Sequence, residues 1–200
     1  MKKRLWIISV TLAAFWLWGA PAWAGSPSDY VRGILNQVLA IQNDPALAGA
    51  DKQSARSRGI RQIIQRSFDF PLMAQNSLGP ASGRLNSAQR REFVDTFSYL
   101  FQDSYTRMVL NFLKQETIKY HQERSENSGA RVSTSIIRTN ETIPVDYLLR
   151  RRGQDWLLYD VIVDGVSILD NYKTQFAATI RTQSFESLLN RMKTQRRAIQ

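Results

Sequence analysis

The stretch Asp160–Phe176, DVIVDGVSILDNYKTQF, changes its hydrophobic period halfway along. Val161 and Val163 alternate with Asp160, Ile162 and Asp164, the period of two that belongs to a strand. Asp164-Gly165 is a turn pair. Beyond it Ile168, Leu169, Tyr172, Phe176 and Ile180 recur at helical spacing, and Ser167 stands where a helix N-cap belongs. The glycine is expected to serve either an angle that other residues avoid or a close approach. A strand that passes through one turn into an amphipathic helix leaves apolar and aromatic surface on both sides of that turn.

Upstream the period of two continues. Glu116–Glu123 alternates weakly, Ala130–Thr139 is rich in Val, Ile, Ser and Thr, and Ile143–Arg150 and Trp156–Asp164 alternate clearly. Ser128-Gly129, Asn140-Glu141 and Gly153-Gln154 supply short turns between them. The expectation is an antiparallel meander of about four strands over residues 116–164. In its last two strands Ile143, Val145, Tyr147 and Leu149 match Leu157, Tyr159, Val161 and Val163 as one apolar face. The opposite face mixes Asp146, Arg150, Asp160 and Asp164 with Leu148, Trp156, Leu158 and Ile162. That mixture predicts helices over all of one face and partial cover on the other.

Before the strands the pattern is helical over residues 28–113. Val31, Ile34, Leu35, Val38 and Leu39 mark a first helix, with Ser28 or Asp29 as its cap. Ile60, Ile63 and Ile64 face inward on a second, and Pro71 opens a short third that Gly79-Pro80 ends. Asn86 and Gln89 have capping-box spacing. After them Phe93, Phe97, Leu100, Phe101, Tyr105, Met108, Val109 and Phe112 recur every three or four residues, predicting one amphipathic helix over 87–113 with an aromatic stripe. Past the sheet, helices are expected over 167–195, the last capped by Ser184. Helices, then strands, then helices read as α+β.

Residues 1–24 read as a cleaved secretory leader: Lys2-Lys3-Arg4, an apolar run over 5–20, then Ala22-Trp23-Ala24 as a small-x-small cleavage site. The apolar run is shorter than the ~20 residues of a spanning helix. The expected mature chain, 25–200, is one domain. Its lack of cysteine is tolerable because the chain is long enough to bury a sizeable core. The full chain carries a net charge of +10, of which Lys2, Lys3 and Arg4 take three away with the leader. The remainder favours acidic partners, and export argues against nucleic acid. Arg150-Arg151-Arg152 is the one dense basic run, at a solvated hairpin end.

No catalytic constellation is present. His121, the only histidine, sits among Lys119, Gln122 and Glu123 with no oriented partner. There is no HExxH, GxSxG or P-loop. Asp160 and Asp164 share a strand face about 13 Å apart at ~3.3 Å per residue, too far for a cooperating pair. No catalytic residue, metal site or cofactor is expected. What remains is apolar surface: Phe70 and Met73; Phe97, Phe101, Tyr105, Met108 and Phe112; Val145, Tyr147, Tyr159, Val161 and Val163; Val166, Ile168, Tyr172 and Phe176. Packed tightly, these side chains are a core. Lining a space, they make a dry pocket for acyl chains, where each buried methylene is worth ~0.8 kcal/mol. Composition and periodicity leave both open.

Two blocks carry a family resemblance. Trp156-Leu157-Leu158-Tyr159-Asp160-Val161, Val163-Asp164-Gly165-Val166-Ser167 and Asn171-Tyr172-Lys173-Thr174-Gln175-Phe176 form the C-terminal one. Phe68-Asp69-Phe70, Met73-Ala74, Leu78-Gly79 and Gln89-Arg90-Arg91-Glu92-Phe93 form the other. In order and spacing they resemble the MlaC family of periplasmic phospholipid-shuttling, or toluene-tolerance, proteins. The resemblance implies an NTF2-like curved sheet with a helical subdomain, and a bound phospholipid as cargo with its tails between sheet and helices. It also implies an outer-membrane lipoprotein complex and an inner-membrane ABC transporter complex as partners, and no enzymatic activity. Two alternatives stay open: a hopanoid-associated paralogue, and an NTF2-like enzyme acting on a small apolar substrate through Asp160 or Asp146.

Overall fold

The computed structural model describes residues 25–114, 116–126 and 129–199; the expected leader, 1–24, lies outside them. Four helices come first: α1 (Pro27–Gln42), α2 (Gln53–Ser67), α3 (Phe70–Leu78) and α4 (Ser87–Phe112). The strands follow, β1 (Thr117–Glu126), β2 (Gly129–Ile137), β3 (Thr142–Arg152), β4 (Asp155–Val163) and β5 (Val166–Ser167), and then α5 (Ile168–Thr182) and α6 (Phe185–Ile199). The sheet is antiparallel in the order β1-β2-β3-β4-β5.

The α+β class holds, with five strands where about four were expected. The fifth exists because Asp164-Gly165 closes a hairpin. Asp164 has φ +50° and Gly165 φ +78°, and Val163 pairs directly with Val166. Positive φ at both residues of a two-residue loop is the I′ geometry that Asp-Gly favours. A Cβ on Gly165 would meet nothing within 4 Å. The glycine therefore serves the backbone angle and not a close approach.

Local chemistry fixes the helix ends. Ser26, not Ser28 or Asp29, caps α1: its Oγ accepts the Asp29 N–H at 3.1 Å, and Pro27 takes the first turn. Asn86 and Gln89 complete their capping box at 2.9 and 3.0 Å. Asp69 caps α3, Ser167 caps α5, and Ser184 accepts from Ser187 N at the start of α6.

Two register shifts shape the sheet, one in β1 between Tyr120 and Glu123, the other where Leu148 faces Asp160 while Leu149 faces Leu158. The second leaves Tyr159 as an extra residue in β4. Such a bulge bends the strand and resets which side chains share a face. Inward pairs are consequently Val145–Val163, Tyr147–Val161 and Leu149–Leu158. The apolar face thus continues through Leu158, and the strict alternation through Tyr159 and Leu157 fails there.

α4 is the spine of the helical layer, contacting α2, α3 and α6, while α5 packs on α3, α6 and β4. Along α4 the rings of Phe93, Phe97, Phe101 and Tyr105 follow one another at 6.1, 6.0 and 5.4 Å between centroids. Phe68 meets Phe101 at 5.2 Å, and Tyr172 meets Phe97 at 5.4 Å. The aromatic stripe is therefore a shared wall between the sheet side and the α5–α6 side.

Candidate apolar binding site

Between the sheet and α1, α2 and the second half of α4 lies a cavity of about 130 Å³. α1 contributes Ile34, Leu35 and Val38, and α2 contributes Ile63 and Ile64. Phe68 stands at its inner end. The sheet wall is Ile136, Ile143, Val145, Tyr147, Leu158, Val161 and Val163. From α4 come Tyr105, Met108, Val109 and Phe112, followed by Leu113. The lining is apolar apart from the phenols and one guanidinium, that of Arg138.

A second space adjoins it. Tyr105, Met108 and Val163 also line a groove of about 460 Å³ between α4, α5, α6 and the β4–β5 hairpin. Phe97, Phe101, Val166, Ile168, Tyr172 and Phe176 complete its apolar side. These three shared residues are a partition with space on both faces. Val166 at the groove and Phe112 at the far end of the cavity are exposed large hydrophobics, at 59% and 52%.

The expected site residues divide accordingly. Tyr105, Met108, Phe112, Val145, Tyr147, Val161 and Val163 line the cavity, and Phe97, Phe101, Val166, Ile168, Tyr172 and Phe176 the groove. Phe70, Met73 and Tyr159 line neither space. Met73 is fully buried core, and Phe70 backs Phe101 at 5.9 Å. Tyr159 is displaced by the β4 bulge, and Leu158 takes its place on the inner face. Sequence reasoning missed the α1 and α2 walls, Phe68, Val109, Leu113, Ile136, Arg138, Ile143 and Leu158. Helical spacing had marked Ile34, Leu35 and Val38 as inward-facing, and Phe68 belongs to the Phe-Asp-Phe block; nothing local distinguishes a wall residue from a core residue.

Apart from Arg138, the side chains that line the two spaces are uncharged. Burial raises the pKa of Tyr105 well above the ordinary phenol value, and it raises that of Tyr147 and of Tyr172. These side chains remain neutral at any physiological pH and give an apolar guest nothing charged to desolvate against.

The carboxylates that could have served an enzyme are engaged. Asp160, 5% exposed, accepts from Val161 N at 2.8 Å, Leu169 N at 3.0 Å and Ser167 Oγ at 2.5 Å. It fastens the β4–β5 hairpin to the first turn of α5, so the group is buried and structural. Burial pushes its pKa up, and the hydrogen bonds from Ser167, Leu169 and Val161 oppose that shift. Asp146 pairs with Arg131 at 3.0 Å. His121 Nε2 lies 2.7 Å from Ser135 Oγ on the outer strands. Among the described residues no group of His, Cys, Asp and Glu could hold a metal ion. Arg150, read as part of a solvated run, binds the buried carboxylate of Asp69.

A family model described as MlaC protein matches residues 32–194. The chain is 26% identical over 198 residues to the intermembrane phospholipid transport system binding protein MlaC of Haemophilus influenzae, which covers 96% of this chain and 92% of that one. A phospholipid-binding protein from Ralstonia solanacearum, solved in complex with a phospholipid, superposes with a TM-score of 0.74 at 22% identity, over 87% of this chain and 98% of its own. At that identity the superposition speaks for the fold.

Proposed function

The chain belongs to the MlaC family, and from that premise we propose that it is a non-enzymatic phospholipid carrier. It takes acyl chains into the space between sheet and α4 and carries the lipid between an outer-membrane lipoprotein complex and an inner-membrane ABC transporter complex. The reading includes export by a cleaved leader over residues 1–24, a periplasmic location and a single lipid-binding domain over 25–200. The observation that carries it is the pair of adjoining, largely apolar spaces, with uncharged phenols and, among the described residues, no carboxylate in their walls. Phospholipids are what the Haemophilus and Ralstonia relatives are named for.

The dimensions add a condition. A dry cavity of roughly 150 Å³ takes a guest the size of benzene, and the enclosed space here is about 130 Å³. Two acyl chains need the walls to part, and the partition of Tyr105, Met108 and Val163 is where cavity and groove merge with least movement. Tyr105 and Met108 are long side chains whose rotation joins the two spaces without breaking a backbone bond.

The test is linkage. Protein stripped of lipid by organic extraction, refolded and offered dioleoyl phosphatidylglycerol should gain thermal stability with rising lipid, because a ligand that binds only the folded state adds RT ln(1 + [L]/Kd). A melting temperature independent of lipid at saturating supply contradicts the reading.

A further inference from the structure

Charge in the lining of the two spaces is placed at one end only. Among the described residues Arg138 is the one charged side chain lining the cavity, and none lines the groove. Arg138 also lines an open cleft of about 1060 Å³ formed by the ends of α1, α4 and β2 and the start of α2. The charged lining of this cleft is Arg56, Lys114 and Arg138 against Glu116. Arg56 donates to the neutral carbonyls of Leu47 and of Gly49, the latter at 2.9 Å, so no carboxylate cancels it. The C-terminal carbonyls of α4 would repel an anion, but they are covered. Gln42 Nε2 donates to Leu113 O at 2.7 Å, and Arg138 Nη2 donates to Phe112 O at 2.6 Å.

Two of the three Arg138 guanidinium nitrogens are held only by long contacts. Its Nε is buried without a hydrogen bond. Glu116 Oε1 stands 3.3 Å from that nitrogen, and Nη1 donates to Glu141 Oε2 at 3.4 Å, a bond that a phosphate would displace. A phosphodiester matches the planar fork of a guanidinium and makes shorter, charge-assisted bonds than these long contacts.

We propose that this cleft is the headgroup subsite, with the lipid phosphate on Arg138, Lys114 and Arg56 setting the local field, and the tails running past Phe112 into the cavity. The inference rests on the phospholipid reading above and adds an orientation to it: head at the C-terminal end of α4, tails toward Tyr105 and Phe68. The groove mouth at Val166 offers an anion no countercharge.

The test uses the full chain from residue 25, stripped of lipid and offered an equimolar dispersion of dioleoyl phosphatidylglycerol and dioleoylglycerol, which share tails and differ in phosphate. Lipid on the re-isolated protein is quantified by mass spectrometry. Wild type favours the phosphatidylglycerol. Arg138→Gln lowers the ratio of the two about tenfold, the size of one charge-assisted contact. Lys114→Glu, at an exposed position and checked for folding by circular dichroism, lowers it by about threefold through the field alone. A ratio unchanged in both variants overturns the subsite and leaves the carrier standing. Equal loss of both lipids in Arg138→Gln with an unchanged ratio in Lys114→Glu also overturns it, since Arg138 then only fastens α4. Inorganic phosphate that binds wild type tightly by itself without altering the ratio makes the cleft a free-anion site, again against the proposal. If wild type captures neither lipid, the phospholipid reading fails and the subsite with it.

Discussion

Arg150 sets Nε at 2.7 Å and Nη2 at 2.5 Å from the same carboxylate oxygen, Oδ2 of Asp69. Asp69 is 1% exposed, and its other oxygen caps α3 through Leu72 N at 3.2 Å. Its own N–H donates to Leu158 O at 2.8 Å. One residue thus ties the start of α3, the middle of β4 and the third strand together beneath the inner end of the cavity.

Removing the arginine strands that charge. Arg150→Ala should lower the unfolding free energy by about 3 kcal/mol, toward the low end for a broken buried pair because the guanidinium side is partly wet. Urea denaturation measures it. A loss under about 1 kcal/mol would class the pair with ordinary surface bridges.

Asp160 predicts a pH dependence of unusual sign for a carboxylate. Its folded-state pKa lies above the ordinary value, so between the unfolded and folded values the native state holds more protons than the unfolded one. Its contribution to stability is then fully present below the unfolded value and is lost as pH rises through the folded value. Asp160→Asn keeps an acceptor for Val161 N and Leu169 N and a donor for Ser167 Oγ. It should flatten the stability profile just above the ordinary carboxylate range and leave lipid loading intact. Asp160→Ala should cost about 2 kcal/mol by orphaning those donors. Paired denaturation curves across acid pH decide, and a profile unchanged in Asp160→Asn contradicts the assignment.

Gly165 carries an angle and no contact. Gly165→Val should cost about 1–2 kcal/mol, the penalty of a left-handed L-residue, whereas Gly165→Asn should cost little. Equal losses for both in chemical denaturation would point to a steric cause that the open space around Gly165 denies.

The partition should be sensitive to bulk. Val163→Trp places a large ring where cavity and groove meet and should cut captured phospholipid about tenfold, a loss of roughly 1.4 kcal/mol, while the chain remains folded by circular dichroism. Val163 is only partly buried, so space exists to receive the ring. Normal loading in a folded Val163→Trp protein would show that the tails lie elsewhere.

What the sequence disclosed depended on whether a pattern ran unbroken. The α4 stripe keeps one helical period from Phe93 to Phe112 and was legible in full, as were the caps at Asn86, Ser167 and Ser184. In β4 the period-two reading held from Val161 onward and failed at Tyr159, because an inserted residue changes the face of everything before it and leaves no local mark. Asp164-Gly165 was visible as a turn, but a two-residue partner strand is too short to show alternation. Arg138 was invisible as a site residue: an arginine at a strand end has the same sequence signature whether it faces water or the mouth of a cavity. Wall and core are likewise written in the same residues, so Phe70 and Met73 could not be told from Phe101 and Met108.

The most direct measurement of the central claim is the lipid that accompanies the protein itself. The full chain, expressed with residues 1–24 in place and purified from the periplasm of its host without detergent, is extracted with organic solvent and assayed by mass spectrometry against protein concentration. The carrier account predicts diacyl phospholipid at about one molecule per chain, retained through size exclusion because acyl burial at ~0.8 kcal/mol per methylene makes release slow. Folded protein that repeatedly yields no phospholipid, and that takes none up when offered it, would contradict the account.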